Sequence, residues 1–577
     1  MNKLDIKDYL VFLLYFIIVA SYGFWVYRRK NKTIVTASHD YFLAEGSLTW
    51  WAIGASLIAS NISAEQFIGM SGSGFKMGLA ISSYEWIAAA SLLIVAIFFI
   101  PVYLKNKIYT MPQFLHTRYN GTVAMIMAVF WLLLYVVVNL TSILYLGALA
   151  INSISGINTT VCMYILAVFA IFITLGGMKV IGYTDVIQVF FLILGGLVTT
   201  YIALNLVSEK FGTTGTVNGF KLLMTHANEH FHMIFKKDNP GYMDLPGLSV
   251  LIGGMWIANL NYWGCNQYIT QRALGADLKT ARSGLLFASF LKLLMPVIVV
   301  LPGIAAYVLH QQGNFQTEMI QGGELNPDKA YPVLLNLLPF GLKGLAFAAL
   351  TAAIVASLAG KANSISTIFT LDIYKKLLRK KPYHPDSMDK SSSSTDMLKE
   401  DADEKRMVRV GKITVIVAML IALLIAPLMG IDKKGGFQYI QEYTGFVSPG
   451  IFAMFILGFF WKRTTSNAAL FATVGGFAFS LFFKILPTIL DLSFLAPIGF
   501  AKANDKGIFE IPFLDRMGIV FLICVLGMFI ISSIDNRKGI KPHGLEVNRK
   551  MFRMNPSFVV GALIVCGLLA ALYTVFW

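Results

Sequence analysis

The chain has 577 residues, 56% of them hydrophobic and 14% charged, with a mean hydropathy of +0.67 and a formal net charge of +16. Soluble domains carry about 25% charged residues, so this composition excludes a cytosolic fold. The Lys and Arg excess sits in short segments between apolar runs, which is the orientation signal of a polytopic membrane protein and not a nucleic-acid footprint.

About fourteen apolar segments are predicted as membrane-spanning helices: 8–27, 47–72, 78–104, 122–152, 158–178, 183–207, 247–267, 282–309, 331–374, 408–430, 437–461, 466–488, 512–534 and 556–577. The first is followed by Arg28, Arg29 and Lys30 and lacks a small-residue cleavage site. It therefore reads as a retained helix with its N-terminus outside; a signal peptide carries its stronger charge before the apolar stretch. An even number of spans returns the chain to the starting side, so both termini are expected outside the plasma (inner) membrane. The basic groups Lys32, Lys105, Lys107, Arg118, Arg272, Lys279 and Arg282 and the segments 375–412 and 537–553 then fall inside.

The second span is interrupted by Ala59-Ser60-Asn61-Ile62-Ser63-Ala64, and the seventh by Gly253-Gly254 followed by Asn259, Asn261 and Gly264. Interrupted helices at matching positions of two halves point to an inverted repeat. The predicted organisation is an extra helix (8–27), a first repeat (47–207), a second repeat (247–461) holding a solvated linker (378–407), and three C-terminal helices (466–577). In the 208–246 loop, His226, Glu229, His230 and His232 have weak metal spacing and read as surface residues. Cys162, Cys265, Cys524 and Cys566 lie in apolar runs without a CxxC pair and read as ordinary helix residues.

Gln66, Glu85, Asn259, Lys292 and Gln441 are polar or charged side chains inside or beside apolar spans. Such groups are costly in a bilayer and persist where they face a cavity and bind something. Carboxylate, ammonium and amides together both donate to and accept from hydroxyl groups. The expected function is transport of a polar solute. An enzyme is not expected, since nucleophile–base pairs, phosphate loops and strong metal spacings were not found.

The runs Ala59-Ser60-Asn61-Ile62-Ser63-Ala64-Glu65-Gln66-Phe67-Ile68-Gly69-Met70 and Ala362-Asn363-Ser364-Ile365-Ser366-Thr367-Ile368-Phe369-Thr370-Leu371-Asp372-Ile373-Tyr374 resemble the sodium/solute symporter family, in its sodium-coupled galactose/glucose branch. So do Ser83-Tyr84-Glu85-Trp86, Asn139-Leu140-Thr141-Ser142, 183–190 and 437–445, and the likeness covers nearly the whole chain. The resemblance implies an all-α membrane protein of the leucine-transporter type, with a 5+5 inverted repeat and broken helices in spans 2 and 7. It implies sodium-coupled symport of a hexose by alternating access, with Gln66, Glu85, Asn259, Lys292 and Gln441 on the sugar hydroxyls.

By the same resemblance Met70, Tyr84 and Phe437 form an outer gate, and Tyr262 with Trp263 an inner one. The carbonyls of Ala59, Ile62 and Ala353 and the hydroxyl of Ser357 hold Na+, and Asp185 lies near the sodium exit. The implied partners are sugar, Na+ as coupling ion and membrane lipid; an organic cofactor, nucleic acid and an obligatory protein partner are not expected. Two positions depart from the pattern: Ala88 and Ala356 stand where the family has hydroxyls. A third oddity is Lys361, which follows Ala353 and Ser357 at i+8 and i+4 on one helix face. Its ammonium repels sodium, stands in for it, snorkels to the cytoplasmic surface, or pairs with a carboxylate such as Asp185 or Asp372. A sodium-independent or proton-coupled carrier of a sugar or polyol is the alternative these departures leave open.

Overall fold

The computed structural model describes residues 5–28, 49–175, 178–339, 341–375, 394–428, 436–504 and 506–577. It is all-helical apart from two short antiparallel pairs, Ile320–Gln321 with Glu324–Leu325 and Lys502–Ala503 with Phe509–Glu510. Among the described residues nine helices are long and apolar enough to cross a membrane, or ten if a pair bent by 51° at 445–448 is one span. Much of the predicted 378–407 linker, the basic Arg29, Lys30 and Lys32, and the final residues of the 408–430 span lie outside the described residues.

In chain order the main helices are α1 (Ile6–Arg28), α2a (Trp50–Asn61), α2b (Glu65–Met70 running into Ser71–Met77), α3 (Ser83–Ile94, continuing to Lys105), α4 (Gly121–Ser155), α5 (Thr159–Thr174) and α6 (Met178–Lys210). The second set is α7a (Gly254–Gly264), α7b (Gln267–Leu274), α8 (Leu278–Gln311), α9 (Leu342–Tyr374), α10 (Ser394–Ile425), α11a (Gly436–Gly445), α11b (Ser448–Phe460), α12 (Ser466–Thr488), α13 (Phe513–Arg537) and α14 (Pro556–Val575). Neither α2 nor α7 is one long rod. Helix α2a stops where Ile62 turns extended (φ −73°, ψ 110°), and the chain re-enters helix at Glu65. Helix α7a begins after Gly253 (φ −121°, ψ −127°) and gives way to α7b at Cys265 and Asn266.

Small residues set the spacing of the central helices. Without a hydrophobic drive between helices in lipid, close approach depends on glycines. A Cβ at Gly54 would stand 2.7 Å from the Gly284 carbonyl, and one at Gly74 2.9 Å from that of Val300. Gly303 abuts the Ser71 carbonyl. The 34-residue α8 is thereby pressed along both halves of α2, with 284 beside 54 and 300–303 beside 71–74. The middle of α8, where Lys292 sits, must then face the α2 break.

Buried polar side chains finish the exposed ends of other helices. Arg118, 1% exposed, donates from Nε to the Gly458 carbonyl (2.8 Å), from Nη2 to Trp461 (2.9 Å) and from Nη1 to Thr464 (3.0 Å). Gly458 lies in the last turn of α11b, and Trp461 and Thr464 in the connection that follows it, so one guanidinium ties down the end of that helix and the turn after it. Asp8 accepts from the backbone N–H groups of Gly341 (2.9 Å) and Gly344 (3.0 Å) at the start of α9. The chain's last residues pair with the 208–246 loop, Met233 N–H donating to the Phe576 carbonyl (2.7 Å). In that loop His226 stacks on Phe211 (4.1 Å between centroids) and His230 on Tyr307 (4.0 Å). No group of three metal-ligating side chains occurs among the described residues.

Replacing Arg118 with Leu leaves three carbonyls without charge-assisted donors. The expected cost is about 2–4 kcal/mol, read as a lowered melting temperature of the detergent-solubilised protein; an unchanged melting curve would refute the capping role.

Candidate binding cavity

The α2 break, α3, α4, α7a, α8, α9 and α11a enclose one cavity, and its polar lining is built around a buried ion pair. Lys292 and Glu85 are 1% and 3% exposed. The Lys292 ammonium donates to Glu85 Oε2 and to Asn61 Oδ1, and its Nζ also lies 5.1 Å from the centre of the Trp263 ring. Charge-assisted bonds of this kind are the strong ones, and in a low-dielectric site their loss is penalised. Asn61 passes the contact on: its Nδ2 donates to the Tyr262 hydroxyl (3.1 Å), which bonds in turn to the Tyr268 hydroxyl.

The break itself is stitched locally. Gln66 Oε1 accepts from the Ser63 N–H (3.1 Å) and hydroxyl (3.3 Å), and the Glu65 N–H donates to Ser63 Oγ (3.1 Å). Asn259 donates from Nδ2 to the Met255 carbonyl one turn back (3.1 Å) and lines the cavity. Gln441, on α11a, also lines the cavity. All five polar residues singled out in the sequence therefore converge, with Ala88, Tyr84, Tyr262, Trp263, Phe437 and Lys361 beside them. Tyr84 and Phe437 meet edge to face, 5.0 Å between centroids. Met70 is fully buried and is not part of the cavity wall.

Of the residues implied for sodium, Ser357 makes a contact across to the end of α2a. Ser357 Oγ donates to the Ser60 carbonyl (3.3 Å), joining α9 to the last turn of α2a. Ala353, Ala356, Ala59 and Ile62 are buried as well. Asp185 lies apart from the cavity. It accepts from the Ser56 hydroxyl (2.7 Å) and faces Arg272 Nη2 (3.7 Å), while Arg272 Nε donates to Ser56 Oγ (2.8 Å).

Lys361 does not snorkel; it pairs with a carboxylate, which is Glu65 and neither Asp185 nor Asp372. It is 3% exposed and lies 3.6 Å from Glu65 Oε1, with its Nζ 5.4 Å from the centre of the Tyr268 ring. Asp185 is already engaged by Ser56 and Arg272, and Asp372 lies about three turns further along α9, beyond the side chain's reach. Asn61 and Glu65 line the cavity, and Tyr268 adjoins it through the Tyr262 hydroxyl; the sequence reading gave none of the three a role. The first two carry a signal, since each is a polar group in the same interrupted run as Gln66; Tyr268 carries none.

The profile of the Sodium:solute symporter family matches residues 41–476. The chain belongs to this family. A sodium/glucose cotransporter from Vibrio parahaemolyticus is 45% identical over 584 aligned residues, covering 100% of this chain and 99% of the relative. The human sodium/myo-inositol cotransporter 2 is 33% identical over 521 residues, covering 86% of this chain and 71% of the relative. A solved Na+-coupled sialic acid symporter, substrate-bound and outward-open, superposes with a TM-score of 0.69 over 92% of this chain and 98% of its own at 22% identity. That likeness establishes a shared transporter fold. The cavity at the centre of the helix bundle thus gathers an ammonium, carboxylates and amides, groups that between them both donate and accept hydrogen bonds.

The ion pair makes a sharp prediction. Lys292→Met leaves the Glu85 carboxylate buried and uncompensated, at a cost of about 3–5 kcal/mol. The double variant Glu85→Gln/Lys292→Met should regain most of that stability and still fail to bind sugar. Thermal unfolding and equilibrium sugar binding on the same samples separate the two effects; sugar binding retained by the double variant would remove the pair from the recognition site.

Proposed function

We propose that this protein is a sodium-coupled symporter that carries a neutral monosaccharide or cyclic polyol across the plasma (inner) membrane by alternating access. The observation that carries this reading is the cavity wall itself. It holds two carboxylates, Glu65 and Glu85, and two ammoniums, Lys292 and Lys361, so its formal charges cancel. Charge-balanced donors and acceptors suit a solute rich in hydroxyls and without net charge. Full-length similarity to a sodium/glucose cotransporter supports the same assignment, and the human relative extends the substrate class to an inositol.

On this reading the fourteen helical segments form a 5+5 inverted repeat, α2–α6 and α7–α11, with α1 before it and three helices after it. Backbone groups freed at the breaks then line the polar centre, where irregular backbone is tolerated in a membrane. Gln66, Glu85, Asn259, Lys292 and Gln441 hold the substrate hydroxyls. Tyr84 and Phe437, with Met70, close the outer side, and Tyr262 with Trp263 the inner side. The carbonyls of Ala59, Ile62 and Ala353 and the Ser357 hydroxyl hold Na+, and Asp185 with Arg272 marks the way out. On the same reading both termini lie on the outer face, with Asp8 at the head of α9 and Phe576 against the 208–246 loop.

Sodium moving down 100 mV supplies about 2.3 kcal/mol, enough for roughly fifty-fold accumulation. Sodium must favour the outward-open state for that energy to be transmitted. Uptake of labelled galactose, glucose and myo-inositol into proteoliposomes is the test, with an inward sodium gradient compared with potassium at matched potential. Accumulation only with sodium is expected, and Ser357→Ala should abolish the sodium stimulation while leaving sugar binding in place. Equal uptake in potassium would overturn sodium coupling and favour the proton-coupled or facilitated carrier.

A further inference from the structure

We propose that the Lys361 ammonium is a tethered cation: it permanently fills a cation-binding position formed by Glu65 and Ser142, which a mobile sodium ion would otherwise occupy. The inference rests on the sodium-symport reading above and adds a second cation position to it.

Glu65 is the first residue of the restarted half-helix α2b and is 7% exposed. A carboxylate buried at this depth needs a positive partner. Its Oε1 accepts from the Ser142 hydroxyl (3.2 Å), which turns toward it from α4. The positive charge comes from Lys361 at 3.6 Å. That separation exceeds the 2.7–3.2 Å of an N–H···O bond, so the ammonium balances the carboxylate without being locked to it. The far side of the ammonium rests over the Tyr268 ring at 5.4 Å, a face that attracts any cation. Hard oxygen ligands and an aromatic face make a place for a positive charge, not for an amine in particular. Both Glu65 and Lys361 line the central cavity, so an ion entering with the solute could reach the position were it vacant.

Placement on α9 gives the tether its consequence. Lys361 follows Ser357 by one helical turn, a rise of about 6 Å, on the face that carries Ala353. The fixed charge therefore stands beside the proposed sodium ligands and would oppose sodium there if Glu65 did not cancel it. The paired arrangement lets one sodium bind while closing a second position.

The test counts sodium bound to the purified full-length protein with labelled sodium near pH 8, where a free carboxylate is ionised. Lys361→Met is expected to bind one more sodium per chain than wild type, and Glu65→Gln/Lys361→Met to return to the wild-type count. Equal counts in wild type and Lys361→Met would overturn the proposal, as would an extra ion that persists in the double variant. Glu65→Gln alone gives an independent reading should Lys361→Met fold poorly. It leaves the ammonium unbalanced, and the sodium concentration for half-maximal uptake should rise about tenfold or more; an unchanged value would overturn the tether. Failure of the symport reading looks different, because wild type would then bind no sodium while Lys361→Met still gains an ion.

Discussion

The buried bond between Lys292 and Glu85, with Asn61 as third member, is the constraint around which the central helices are arranged. Each partner comes from a different helix, α8, α3 and α2a, and none can leave without stranding a charge or an amide in an apolar bundle. The energetic asymmetry is what makes the arrangement useful. A substrate hydroxyl can share or replace these bonds, whereas a solute that merely fills the space leaves them unsatisfied. Asn61 gives the ion pair a mechanical reach, since the same amide holds the Tyr262 hydroxyl. The Lys292 ammonium and the Tyr262 ring are thereby linked through one side chain.

Glycine contacts explain why the polar groups meet at all. Gly54 against Gly284, and Gly74 and Gly303 at the other end, fix the register of α8 on α2. With that register set, Lys292 arrives at the break and not one turn above or below it. The break then does two things at once. It frees backbone carbonyls at Ala59 and Ile62, and it aims Gln66 and Glu65 into the same space. A continuous helix over 50–77 would spend those carbonyls on its own ladder.

Much of this was legible in the sequence, for a physical reason. Charges and amides in apolar runs are so unfavourable that Gln66, Glu85, Asn259, Lys292 and Gln441 could be picked out one at a time, and the structure lines one cavity with all five. Partner choice was less legible. Lys361 has several carboxylates within a plausible distance along the chain, and which one it meets depends on how α9 crosses α2b, a tertiary fact that no local pattern encodes. Tyr268 was invisible for a similar reason: an aromatic after a helix break reads as packing, and its hydroxyl contact with Tyr262 is a tertiary fact. The count of spans was blurred by the same breaks that make the site, because α2 and α7 divide into pieces of which each is too short to cross a bilayer.

The three carbonyls that Arg118 satisfies lie 340 to 346 residues later in the chain. During synthesis the guanidinium is therefore made long before its acceptors exist. Until α11b arrives it must stay at the water–lipid boundary, where its charge is solvated and holds the α3–α4 connection at the membrane surface. The same residue that caps a helix in the finished protein acts earlier as an anchor for nascent topology. Closure of the bundle then becomes a late event in biogenesis, reached only when the second half of the chain has been delivered to the first.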